Sequence, residues 1–188
     1  MEKKLSRHGW LFILAATVLL AVFLVYPVLY SLYLSFTSAK EGVTRFVGLG
    51  NYVKLLRDPV FYLALRNTFF ILIIQVPIML ILGLALASIL NSPKIRLRGF
   101  FRTAIFLPCV TSLIAYTILF KMLFSFDGLV NKTLLALHLI DAPLQWFNEP
   151  RLAMFVLILA MVWRWTGYNM IFYLSGMQNI PGDLYEAA

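Results

Sequence analysis

Four stretches of the chain stay apolar for longer than a soluble domain tolerates. Trp10 to Phe36 contains no charged residue, and further runs extend from about Thr68 to Leu90, Thr103 to Leu123 and Leu152 to Gly176, with Lys121 and Arg164 the only charges inside them. A hydrocarbon core of roughly 30 Å needs about 20 such residues in a helix. Lipid offers the backbone no hydrogen-bond partner, so spanning segments are helices or closed barrels, and barrel strands would show short alternating segments instead. The pattern predicts an all-α polytopic membrane protein with spans at about 10–36, 68–90, 103–123 and 152–176. Lys3, Lys4 and Arg7 precede the first run as they would in a signal peptide. That run is far longer than an h-region of roughly 7 to 15 residues, which predicts a retained helix.

Between the spans the pattern changes. Residues 42–59 contain Gly42, Gly48, Gly50, Asn51 and Pro59, a turn-rich composition that predicts no long element. Residues 127–141 read as a short helix lying against the membrane surface or the bundle. Val130, Leu134 and Leu137 form its apolar stripe, with Asn131, Lys132 and His138 off it. Asn131-Lys132-Thr133 has the form of a glycosylation acceptor, a pattern short enough to arise by chance. Pro77 and Pro108 fall inside spans and are expected to kink them. Gly83 and Ala87, four apart, form a small-residue face for close helix packing.

Composition sharpens this picture. The 188 residues are 62% hydrophobic and 13% charged, against roughly 45–50% and about 25% in soluble domains. Sixteen Lys and Arg against eight Asp and Glu give +8. In a soluble protein that excess would suggest nucleic acid; here the charges flank apolar runs and encode topology. Residues 1–9 and 92–102 carry seven cations in twenty residues, among them Lys94, Arg96, Arg98 and Arg102. Segments 38–66 and 125–151 also carry seven, but spread over 56 residues and mixed with acids. Density places the N-terminus and the 92–102 loop in the cytoplasm. The single cysteine, Cys109, allows no intrachain disulfide and no Zn site.

Candidate chemistry is sparse. There is no phosphate-binding G-x-x-x-x-G-K-[ST], no G-x-G-x-x-G and no H-E-x-x-H, and His8 and His138 fall on opposite predicted sides. Solute movement would draw its energy from a partner or a gradient. Arg164 stands out, because a charge at mid-span costs roughly 2.5 to 3.5 kcal/mol even on insertion scales. It either lines a translocation path or gate, or pairs with a carbonyl or snorkels along a neighbouring helix. Around it Trp163, Trp165, Thr166, Gly167, Tyr168 and Asn169 combine aromatic faces with hydrogen-bonding groups. That mixture suits a polyhydroxylated ligand, and equally an interfacial aromatic belt.

After Ile180-Pro181-Gly182, Asp183 and Glu186 make a capping box that opens a new helix at Leu184. Such a helix, left after about one turn, raises the expectation of a truncated product or fragment.

The end, Gln178-Asn179-Ile180-Pro181-Gly182-Asp183-Leu184-Tyr185-Glu186-Ala187-Ala188, resembles the approach to the E-A-A coupling loop of binding-protein-dependent ABC transporter permeases, and the carbohydrate-importer branch fits best. Gly48-Leu49-Gly50-Asn51-Tyr52, Asp58-Pro59, Asn67-Thr68, Leu90-Asn91, Phe101-Arg102-Thr103, Phe106-Leu107-Pro108, Gly128-Leu129-Val130-Asn131 and Trp163 with Gly167-Tyr168-Asn169-Met170 look like that branch's signposts in order and spacing. The resemblance covers nearly the whole chain. It implies a six-helix permease subunit in a bacterial cytoplasmic (inner) membrane, paired with a second permease, a cytoplasmic ATPase dimer and an extracytoplasmic sugar-binding protein. No cofactor sits in the chain itself, ATP being hydrolysed on the partner subunit. Asp183, Tyr185, Glu186, Ala187 and Ala188 would then contact the ATPase, and Trp163, Arg164, Thr166, Gly167, Asn169 and Met170 would line the substrate path. The family motif continues to a Gly, an I-x-L-P segment and two further helices that this sequence does not contain, so this polypeptide alone is expected not to transport. A gradient-driven carrier fits poorly, since the spans hold no Asp or Glu. An inactive remnant or membrane scaffold remains the alternative.

Overall fold

The computed structural model describes residues 2–40 and 43–180. The capping pair Asp183 and Glu186, with Tyr185, Ala187 and Ala188, lies outside the described residues. Two compact units emerge, Met1–Leu65 and Arg66–Ala188.

The first unit begins with α1, Glu2–Leu20, which passes through a π-helical turn at Ala21–Val25 into α2, Tyr26–Ser35. The segment Ile13–Ser35 is long and apolar enough to cross a membrane, and none of its residues is buried. Tyr26, Tyr30 and Tyr33 stack in sequence along α2, with ring centroids 6.0 and 6.3 Å apart. Beyond α2 the chain forms an antiparallel hairpin, β1 (Thr37–Lys40) and β2 (Val43–Phe46), in which Thr37 pairs with Phe46. The helical reading did not include it.

The turn-rich segment that follows holds the end of α2 in place. Gly48 takes φ +54°, a backbone state that side chains resist, and α3, Gly50–Arg57, starts from that turn. Asn51 Nδ2 donates to the carbonyls of Ser35 (2.9 Å) and Thr37 (2.7 Å), closing the open C-terminus of α2. The Tyr52 hydroxyl lies 2.7 Å from Ser35 Oγ, and the Tyr52 ring tilts against Phe36.

The helix α4, Pro59–Asn91, runs unbroken through Pro77 and exceeds its predicted span at both ends. In the second unit its last carbonyls meet Arg102, whose Nη2 donates to Leu90 O at 3.0 Å. The third predicted span falls on two helices. It consists of α5 (Arg98–Val110) and α6 (Leu113–Leu123), bent by 96° at their junction. The bend is not at Pro108, which α5 carries within its helix, but at Thr111 and Ser112, both extended at ψ 138° and 146°. Among the described residues three helices are thus long and apolar enough to span, with a fourth span if the bent pair is one.

The segment between α6 and α8 contains α7, Leu129–Ala136, shorter than the predicted 127–141. Its stripe also needs correcting. Val130 and Leu134 pack under Phe124, Trp146 and Val156, but Leu137 lies past the helix end and is 62% exposed. Asn131 takes the buried position instead. Last comes α8, Pro150–Gln178, which begins with Pro at its first turn, where a missing N–H does no harm.

Candidate functional site

The residues from Trp163 to Met170 occupy the middle of α8, the most buried of the spans. One face of this stretch is fixed by helix packing. Met170 is fully buried with Ala87, Leu90 and Leu174, between α4 and α8. A Cβ on Gly83 would stand 3.0 Å from Asn169 Cβ and 3.3 Å from Met170 N, so the small-residue face on α4 receives α8 directly. Gly167 is closer still to its neighbour. A Cβ there would fall 2.1 Å from Ile105 O and 2.8 Å from Ile105 C, which means that α8 and α5 touch backbone to backbone. Thr166 is buried and returns its hydroxyl to Val162 O at 2.7 Å.

The other faces carry aromatic rings and one charge. Trp163 lies parallel to Tyr116 at 6.3 Å and tilts against Phe120 at 5.6 Å. Phe120 stacks on Phe124, which meets Trp146 edge-on at 5.2 Å, so a continuous aromatic column links mid-α8 to the loop before it. Trp165, Tyr168 and Phe172 form a second, exposed series. Arg164 is half-buried. Its Nη1 donates to Thr111 O at 3.0 Å, and its guanidinium carbon lies 5.2 Å from the Tyr116 ring and 5.7 Å from that of Trp165. Arg164 thus pairs with the carbonyl between α5 and α6. Asn169 gives Nδ2 to Trp165 O at 2.9 Å, while its Oδ1 accepts from none of the described residues.

The structure therefore separates the six path candidates. Thr166, Gly167 and Met170 are enclosed between helices, whereas Trp163 and Asn169 keep accessible surface and Arg164 is engaged at the α5–α6 bend. Sequence reasoning missed Thr111, Ser112 and Tyr116. The adjacent hydroxyl residues inside an apolar run were the available signal. Among the described residues no group of His, Cys, Asp and Glu could hold a metal. A concavity of 600 Å³ lies elsewhere, walled mainly by apolar residues from Ile118 to Leu129, and no α8 candidate lines it.

No protein-family model matches the chain. It is, however, 53% identical over all 188 residues to the lactose transport system permease protein LacF of Rhizobium radiobacter. By sequence, the chain belongs among the ABC transporter permeases. The chain spans 63% of the length of that relative. The arabinooligosaccharides transport system permease protein AraP of Bacillus subtilis is 39% identical over 173 residues, 89% of this chain and 53% of its own length. A crystal structure of a bacterial ABC transporter that imports the acidic polysaccharide alginate superposes with a TM-score of 0.77 over 98% of this permease chain and 63% of the other, at 22% identity. At that identity the likeness speaks for the fold. A second structure of a bacterial alginate ABC transporter, in complex with a periplasmic protein bound to an alginate pentasaccharide, gives 0.75 over 100% of this permease chain and 63% of the other.

Proposed function

We propose that the chain is the membrane-spanning permease portion of an ATP-driven importer of small sugars in a bacterial inner membrane, with its N-terminus in the cytoplasm. The observation that carries this is the 53% identity to a lactose permease along every residue of the chain. ATP is hydrolysed on a separate cytoplasmic ATPase dimer, since this sequence holds no phosphate-binding loop. Closure of that dimer pulls on the coupling segment at Asp183, Tyr185, Glu186, Ala187 and Ala188, and rocks this chain against a second permease. A mid-membrane site then opens outward to a sugar delivered by an extracytoplasmic binding protein.

Along the path, the stretch Trp163, Arg164, Thr166, Gly167, Asn169 and Met170 contributes through division of labour. The exposed ring face of Trp163 stacks on the apolar face of a pyranose, and Asn169 Oδ1 accepts from a sugar hydroxyl. The buried Thr166, Gly167 and Met170 hold that face in register against α4 and α5.

The test is uptake of labelled disaccharides, lactose first, by cells lacking the full coding region and by cells carrying it with its neighbouring transport genes. Uptake that depends on the gene supports the reading. Equal uptake of every sugar with and without it would overturn it.

A further inference from the structure

The junction of α5 and α6 opens the backbone ladder between two apolar helices bent by 96°, where the peptide groups it frees need partners. Three side chains repair it. Thr111 Oγ1 donates to Leu107 O at 3.1 Å, and Ser112 Oγ accepts from the Ala115 amide at 3.2 Å. Both belong to the bend and travel with it. The third does not: Arg164 Nη1 reaches across from α8, 53 residues away, to Thr111 O.

We propose that Arg164 is a positioning residue that pins the α5–α6 bend to α8, so that the two move as one body in the transport cycle, while the solute is met by other groups. The inference rests on the permease reading above. Its geometry is specific. The hydrogen bond lands on the carbonyl at the corner of a 96° turn. The same guanidinium lies over Tyr116, a buried residue of the first turn of α6, and Tyr116 in turn stacks parallel to Trp163 of α8. A charge-assisted bond and a cation–ring contact therefore join the same two elements at neighbouring points. Lower on the same helix, Gly167 holds α8 against the backbone of α5 at Ile105. With α8 touching α5 before the bend and α6 after it, removal of Arg164 frees the corner while leaving the lower contact in place.

Initial uptake rates against sugar concentration, per chain in the membrane, are compared for the wild-type transporter with all its subunits and for Arg164→Met and Arg164→Lys. We expect Arg164→Met to lower kcat at least about tenfold with KM within about twofold, as for a group that acts through the protein and not on the solute. Arg164→Lys, which retains a charged donor, should restore most of the rate. A raised KM at unchanged kcat would overturn the proposal in favour of direct solute contact. A second readout needs no transport. Hydrogen exchange in detergent should rise at the Ala115 and Tyr116 amides in Arg164→Met and not in Arg164→Lys, and equal exchange in all three would overturn the pin. If the wild type takes up no sugar, the permease reading falls and the exchange comparison alone decides the pin.

Discussion

Asn131 is 1% exposed, and its side chain organises a loop thirteen residues away. Its Oδ1 accepts from the Leu144 amide (3.1 Å) and from Trp146 Nε1 (2.9 Å), and its Nδ2 donates to the carbonyls of Phe126 and Leu144. Asn131→Ala leaves two buried donors and two carbonyls unmatched. At about 1 to 3 kcal/mol for each unsatisfied group, partly offset by relaxation, a loss of roughly 2 to 4 kcal/mol is expected. It would show as a lower melting temperature of the detergent-solubilised chain and as faster proteolysis between residues 124 and 149. An unchanged melting curve would refute this role. None of it was visible in the helical pattern. A stripe drawn through Val130, Leu134 and Leu137 ranks positions by apolarity, and a polar residue whose partners are backbone groups far along the chain falls outside any such ranking. Arg164 was legible by contrast, because a lone charge in an apolar run has few ways to be stable.

Among the elements, contact of α8 with α5 is the feature most easily broken. Gly167→Ala would set a methyl group 2.1 Å from Ile105 O, a backbone atom that cannot swing aside, so the helices must part. Overpacking of this kind costs about 1 to 3 kcal/mol or more, and unfolding of the purified chain should register it. Gly176→Ala is the matched control. Nothing lies within 4 Å of its added Cβ, and helix propensity favours Ala by up to about 1 kcal/mol there. Equal stability of the two variants would refute the tight contact. At the bend, loss of the Ser112 cap in Ser112→Ala should cost about 1 kcal/mol by the same assay. The spans were readable from the sequence because apolar length alone defines them. The bend was not, because hydropathy is the same for a straight and a folded helix. Pro108, the conventional breaker, pointed to the wrong turn: its missing N–H falls inside α5, and the break comes where Thr111 and Ser112 can satisfy the opened ladder themselves.

For the molecule as a whole, the distribution of cations carries the orientation, and labelling can read it directly. In a Cys109→Ser background, Lys94→Cys should react with an impermeant maleimide only from the cytoplasmic side, and Lys132→Cys only from outside; both side chains are exposed. The reverse pattern would invert the topology. Asp183→Ala with Glu186→Ala should lower recovery of the ATPase with the purified permease while membrane insertion persists, and undiminished recovery would count against the coupling role. The burial gradient among spans runs with their polarity. Of the apolar window in α8 33% is buried, against 11% in α4 and none in Ile13–Ser35, and α8 is also the least apolar, with a mean hydropathy of 1.3 against 2.8 and 2.4. The π-helical turn at Ala21–Val25 holds one residue more than an α-helix needs. The wide i→i+5 turn absorbs that residue, so α1 and α2 keep their faces in register across it. Deletion of any one residue between Ala21 and Val25 would let the turn tighten to α-helical with the tyrosines left on nearly the same side. This span can therefore gain or lose one codon without re-aiming its aromatic surface.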